Sequence, residues 1–207
     1  MVGSGTRVCM VFAGLMALSG CQSSTGPAPE PGFTQEANSF VDTGTQLSGV
    51  FNTAFTGMPV SGSARFVGQS GMVMTSAAGD DYLFLGDAAM LADFQNATMA
   101  GTMGSFRGVV LPGGAGPAGA VTDYAGTILL SGGSIGVARP NDFDGDFAGT
   151  LTGGGNVIMI TGDIYGDFKG TPIRAVMGSS SAAGLIPPTG TINGLPASNI
   201  FLDFWAK

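Results

Sequence analysis

The sequence predicts an all-β fold, a small antiparallel β-barrel of about eight strands, the size at which side chains alone fill the interior. Three observations carry this. Glycine supplies 37 of the 207 residues and only 10% are charged, with no Gly-X-Y period, which excludes collagen and disfavours an ordinary helical domain. An eight-residue phrase, D-[FI]-x-G-D-F-x-G, occurs twice, as Asp142 to Gly149 and as Asp163 to Gly170. Short apolar runs with alternating character recur from Met58 onward, separated by glycine or Asn/Asp turns.

Residues 1–20 read as an export signal. Arg7 gives a positive start and Val8 to Leu18 is an apolar run too short to span a bilayer. The run ends in Leu18-Ser19-Gly20-Cys21, which resembles the bacterial lipobox. That resemblance implies cleavage before Cys21 and lipidation of its thiol, with palmitate-type acyl chains, each buried methylene contributing roughly 0.8 kcal/mol to membrane attachment. Cys9 leaves with the signal, so no thiol remains for redox or metal work. Gln22, where enterobacterial lipoproteins kept at the inner membrane carry Asp, implies the outer membrane. Residues 21–45 are assigned to the lipidated cysteine and a flexible tether, because Gln22 to Gly32 is rich in Pro, Gly and Ser.

Residues 46–207 are assigned to the barrel. Val60 to Gln69 alternates Val60, Gly62, Ala64, Phe66 and Gly68 on one face, and a second strand over Ser70 to Ala78 is expected after a short turn. Tyr82 to Phe94 is a further run, in which Gly86-Asp87 reads as a bulge or a turn. Ala97 to Phe106 pairs back to it. Val110 to Ala120 reads as a long loop and Thr127 to Val137 as a strand. The two repeats then form a hairpin through Gly153 to Asn156, with Phe143, Gly145, Phe147 and Gly149 on one face and Ile164, Gly166, Phe168 and Gly170 on the matching one. Ile173 to Met177 is a short strand, Gly178 to Gly194 a loop, and Ile200 to Trp205 the closing strand.

The segments 58–69, 91–103, 143–151 and 162–178, in that order, resemble the barrel domain of transferrin-binding protein B-like surface lipoproteins. The likeness spans roughly Met58 to Gly178 plus the closing strand. Lys169 to Pro172 and Met177-Gly178 depart from the family wording. Members with two lobes carry two barrels and two handle domains, whereas this chain has room for one barrel. The resemblance implies a lipid-anchored barrel at the outer membrane, displayed on the cell surface and non-catalytic. The resemblance further implies a binding role towards a protein or small ligand, since related single-barrel lipoproteins bind host proteins or haem. It does not imply transferrin itself.

The chain has no histidine, which excludes Ser-His-Asp and Cys-His catalysis, and its net charge of −7 argues against a nucleic-acid partner. Gly132 to Gly136 spells G-x-S-x-G but reads as strand with a glycine bulge. Gly114 to Gly119 spells G-x-G-x-x-G without a following amphipathic helix, and reads as loop. Asp142, Asp144 and Asp146 lack the remaining EF-hand ligands and are expected to point outward as an acidic strand face, as are Asp163 and Asp167. Met72, Met74, Met90, Met99 and Met103 are expected in the core rather than on a soft metal or haem, as are Phe201, Phe204 and Trp205. No catalytic, metal or cofactor residue is assigned; Cys21 is the one site. The alternative to a surface binding module is a periplasm-facing envelope-assembly lipoprotein, and a third reading is an integral membrane barrel.

Overall fold

The computed structural model describes residues 31–114, 118–182 and 184–207. One helix, α1 (Pro31–Ser48), precedes ten strands: β1 (Ser63–Thr75), β2 (Asp81–Asp93), β3 (Thr98–Leu111), β4 (Thr122–Ser134), β5 (Asp142–Gly153), β6 (Asn156–Lys169), β7 (Ala175–Ser179), β8 (Thr189–Ile192), β9 (Leu195–Pro196) and β10 (Ser198–Ala206). From β1 to β7 each strand pairs antiparallel with the next, β8 pairs back to β6, and β10 pairs with both β7 and β1, so the sheet closes. β7 and β8 lie end to end along the same edge of β6, at Tyr165↔Ser179 and Thr161↔Thr189. They form one wall position interrupted by residues 180–188. With β9 leading into β10, the result is the eight-position up-and-down barrel that the sequence predicts.

The repeats form the expected hairpin. Phe143 pairs with Gly166 and Phe147 with Gly162, around a two-residue turn at Gly154 (φ 58°) and Gly155 (φ 78°). Two left-handed residues give the turn twist that suits a hairpin, which is why glycine stands at both. Elsewhere the strands are longer than expected. No turn follows Gln69: β1 runs unbroken to Thr75, in register with β2 throughout. Leu111 belongs to β3 rather than to a loop. The irregularity opposite Gly86 sits on β3, where Ser105 takes φ 53° and three residues span two of β2. Gly132 (φ 63°) is the bulge expected within G-x-S-x-G, where β4 gains a residue against β3.

The interior is packed with Phe66, Phe84, Phe106, Phe143, Phe147, Phe168 and Phe204, and with Met72, Met74, Met90, Met99 and Met103. All five methionines are therefore core. Several rings rest on a glycine of the neighbouring strand: Phe84 on Gly108, Phe143 on Gly166, Phe204 on Gly178. A Cβ at Gly166 would come within 2.1 Å of the Met177 carbonyl oxygen and 2.3 Å of the Phe143 ring. The outward face carries Arg65, Asp87, Arg107, Asp123 and Asp146, with Asp87 at the middle of β2. Apolar inside and charged outside is the reverse of a transmembrane barrel, which presents apolar side chains to lipid. That pattern argues against the integral-barrel reading.

Helix α1 covers part of the outer wall. Phe33, Ala37, Phe40, Gly44 and Leu47 recur at helical spacing and are buried. The first three pack on Leu83, Leu85, Val109 and Leu111, while Leu47 packs on Ala175 and Met177. Trp205 lies beneath the helix, stacking on Phe40 at 6.4 Å and donating from Nε1 to the Phe40 carbonyl at 3.3 Å. So Phe204 is core, whereas Trp205 faces out and anchors the helix. α1 begins inside the stretch 21–45 assigned to the tether, and its apolar stripe, not Pro/Gly content, decides the structure of residues 31–45. It runs from the rim carrying the β3–β4 loop, here called the distal rim, to the rim where β1 begins, the proximal rim.

Two outcomes are expected. Gly166→Ala forces ring or backbone to move and costs about 3 kcal/mol or more by urea denaturation, whereas Gly32→Ala, with nothing within 4 Å of the new methyl, leaves the midpoint nearly unchanged. Asp203 faces outward between Gly71 and Ser179, is 2% exposed, and has one carboxylate oxygen without a partner. Burial pushes its carboxyl up from 3.8 to about 6, with a hydrogen bond from Ser179 acting the other way. The folded state then holds a proton that the unfolded chain has released between about pH 4 and 6. This contribution is present in full below the unfolded value and is lost as pH rises through about 6. Asp203→Asn should therefore raise stability at pH 7.5 and remove on the order of 2–3 kcal/mol from the wild-type gain between pH 7.5 and 4; an unchanged pH slope in the variant contradicts this assignment.

Candidate functional site

Because side chains fill the barrel, ligands meet its rims and outer wall. At the proximal rim a recess of about 560 Å³ opens between the end of α1, the β6–β7 connection and the chain end. Its volume falls within the roughly 300–1,000 Å³ of small-molecule sites. Gln46, Leu47, Val50 and Phe51 line one side, and Lys169, Gly170, Thr171, Arg174, Ala175 and Lys207 the other.

The recess exists because the chain is pinned as it leaves α1 and crosses the rim. Gly49 and the Ser48 hydroxyl both donate to the Thr45 carbonyl, and Val50 donates to that of Leu47, so two of the last carbonyls of the helix are engaged. Beyond this, Gly170 N–H donates to the Phe51 carbonyl at 2.9 Å and Thr53 N–H to that of Phe168 at 2.8 Å. The Thr53 hydroxyl donates to the Gly170 carbonyl at 2.6 Å, and Asn141 Nδ2 to the Thr53 carbonyl at 2.6 Å. Phe51 is held by its backbone alone, and its side chain is 91% exposed.

Three cations converge here. Lys169 is buried, donates from Nζ to Asn52 Oδ1 at 2.6 Å and stands 3.9 Å from Asp167. Burial lowers its pKa, opposed by Asp167 and reinforced by Arg139. Lys207 is fixed by a backbone pair with Val67 and places Nζ 5.6 Å from the Trp205 ring centre. The Arg174 guanidinium is exposed, and no hydrogen bond or ion pair engages it among the described residues. Beside the recess, Tyr165 donates its hydroxyl to Asp142, which also accepts from the N–H groups of Ala138 and Arg139.

The structure places the residues singled out in the sequence as follows. Cys21 lies outside the described residues. Asp142 is on the face away from Phe143, as expected, but is buried rather than exposed because the turn before β5 folds over it; Asp144 accepts from Ser134 N–H and Asp146 is exposed. Among the described residues no three acidic, histidine or cysteine side chains gather where they would hold a metal. Of the two long loops expected, the described part of 110–120 stands at the distal rim and 178–194 contains β8; residues 115–117 and 183 lie outside the described residues, which takes in part of the G-x-G-x-x-G motif. The proximal recess was missed. Its cations are scattered at 169, 174 and 207, and only closure of β10 on β7 brings them together.

No protein-family model matches the chain, and comparison with curated proteins finds no match. Among solved structures, the chain is similar to transferrin binding protein B from Haemophilus parasuis, a vaccine antigen crystallised as a double mutant, at 14% identity and a TM-score of 0.44. The similarity covers 75% of this chain and 27% of that one.

Asn141→Ala removes the clamp on Thr53. It should destabilise the fold by about 1–3 kcal/mol and expose residues 49–58 to limited proteolysis; a cleavage pattern identical to wild type would show that the other contacts suffice.

Proposed function

We propose that this protein is a lipid-anchored, non-catalytic binding protein of the bacterial outer membrane, joined to the bilayer through acyl chains on Cys21 and displayed at the cell surface. The observation that carries the binding role is the proximal recess: a pinned, apolar-walled cavity with three cations, on a barrel whose interior is already full. A rigid scaffold carrying a shaped rim suits recognition. The Leu18-Ser19-Gly20-Cys21 sequence and the Pro/Gly/Ser-rich stretch after it support the anchor. The absence of histidine leaves acid–base and nucleophilic mechanisms without their usual partner.

Fractionation and surface proteolysis test this. The wild-type chain is expected in the outer membrane and in the detergent phase, Cys21→Ser in the aqueous phase, and added protease should digest the wild type on intact cells while a periplasmic control survives. Protection until the outer membrane is opened would overturn surface display and favour the inward-facing assembly role. A Cys21→Ser chain that stays with the membrane would overturn the anchor.

A further inference from the structure

We propose that the proximal recess binds an amphiphilic anion, a carboxylate head on an apolar tail of the free fatty acid class. This rests on the reading of the chain as a binding protein and names the ligand chemistry of the same site.

Charge is the first argument. The chain carries seven Lys and Arg against fourteen Asp and Glu. One of the seven, Arg7, precedes the described residues, and three of the other six line this one recess. Asp167 is the carboxylate recorded beside them, 3.9 Å from Lys169. Of these three, Arg174 is the cation without a hydrogen-bond or ion-pair partner among the described residues, and a guanidinium grips a carboxylate through two parallel hydrogen bonds. Two of the carbonyls at the end of α1, those of Thr45 and Leu47, accept from Gly49, Ser48 and Val50, which reduces the negative potential that end presents to an anion.

The walls are the second argument. Val50 and Phe51 offer exposed apolar surface next to the cations, with the buried Leu47 and Ala175 behind them. Phe51 leaves nearly its whole ring in water although the backbone on either side is fixed, so covering it removes apolar area without ordering new chain. An inorganic anion would use the cations and leave this wall bare. A neutral lipid would use the wall and leave Arg174 unpaired.

The direction of α1 favours a free amphiphile over a membrane surface. Its first residue, Pro31, is at the distal rim, and the recess lies past its last residue, Ser48, at the opposite end. With the anchor proposed on Cys21, the chain enters the fold at the end away from the recess, which suits a ligand taken from solution.

The test is titration of the full chain carrying Cys21→Ser, free of its own acyl groups, with cis-parinaric acid, whose fluorescence rises in an apolar site. Saturable enhancement is expected, displaced by dodecanoate and about tenfold less effectively by dodecanol. Arg174→Glu should weaken binding about tenfold, the scale of one charge-assisted hydrogen bond, and Phe51→Ser should weaken it several-fold. Both residues are exposed, so thermal midpoints should match the parent and a binding loss is not an unfolding artefact. The proposal is overturned by a lack of saturable signal, by equal competition from dodecanol, or by unchanged affinity in Arg174→Glu. Arg174-dependent capture on phosphatidylglycerol vesicles without uptake of free acid would also overturn it, making the patch a membrane contact. None of these outcomes touches the anchor or surface display, which fractionation and proteolysis read separately.

Discussion

Inward aromatic rings seated on cross-strand glycines are the contact on which the rest of this structure depends. At Phe143 on Gly166, Phe84 on Gly108 and Phe204 on Gly178, the missing Cβ lets a ring lie flat against the next strand. Without those glycines the strands would be held apart. With them, eight wall positions curve tightly enough to meet, and rings and methionines close-pack the space within. Glycine in a strand ordinarily weakens it; here it is the receiving half of a packing pair.

A filled barrel shifts every other role to the outside. One stretch of outer wall is apolar, with Leu83, Leu85, Val109 and Leu111, and α1 covers it. The chain leaving α1 must then cross the proximal rim to reach β1, and Asn141, Thr53, Lys169 and Gly170 fix that crossing by hydrogen bonds. The recess is what remains between the crossing and the rim. It is a by-product of covering the wall, which explains why its lining comes from three distant parts of the sequence.

Much of the barrel was legible. The D-F-x-G repeats gave hairpin, facing and partner residues together, since a period of two with glycine opposite phenylalanine leaves few other solutions. The methionines read correctly because each sits at an inward position of an alternating run. The helix did not, although Phe33, Ala37, Phe40, Gly44 and Leu47 carry a helical period: neighbouring Pro, Gly and Thr masked it, and its stability comes from the wall it covers rather than from propensity. The seventh wall position was hidden because two short strands on one line, separated by residues 180–188, look locally like a loop. Asp142 is buried on the outer face because the N–H groups of Ala138 and Arg139 needed an acceptor, a demand set by turn geometry and not by strand alternation. The recess left no local signal at all.

Closure of β10 on β1 sets when the molecule comes into being. From β1 to β7 each wall contact joins strands adjacent in sequence and can form as each hairpin is made, but β10 must reach both β7 and β1, and Gly68 waits for Ala206. Loop closure over such a span is entropically slow to reward. A chain made from its N-terminus therefore has the partners of β1 and β7 in place only once β10 has been made. Closure is a late event in synthesis, because the strand that joins the two edges is the last of the ten described.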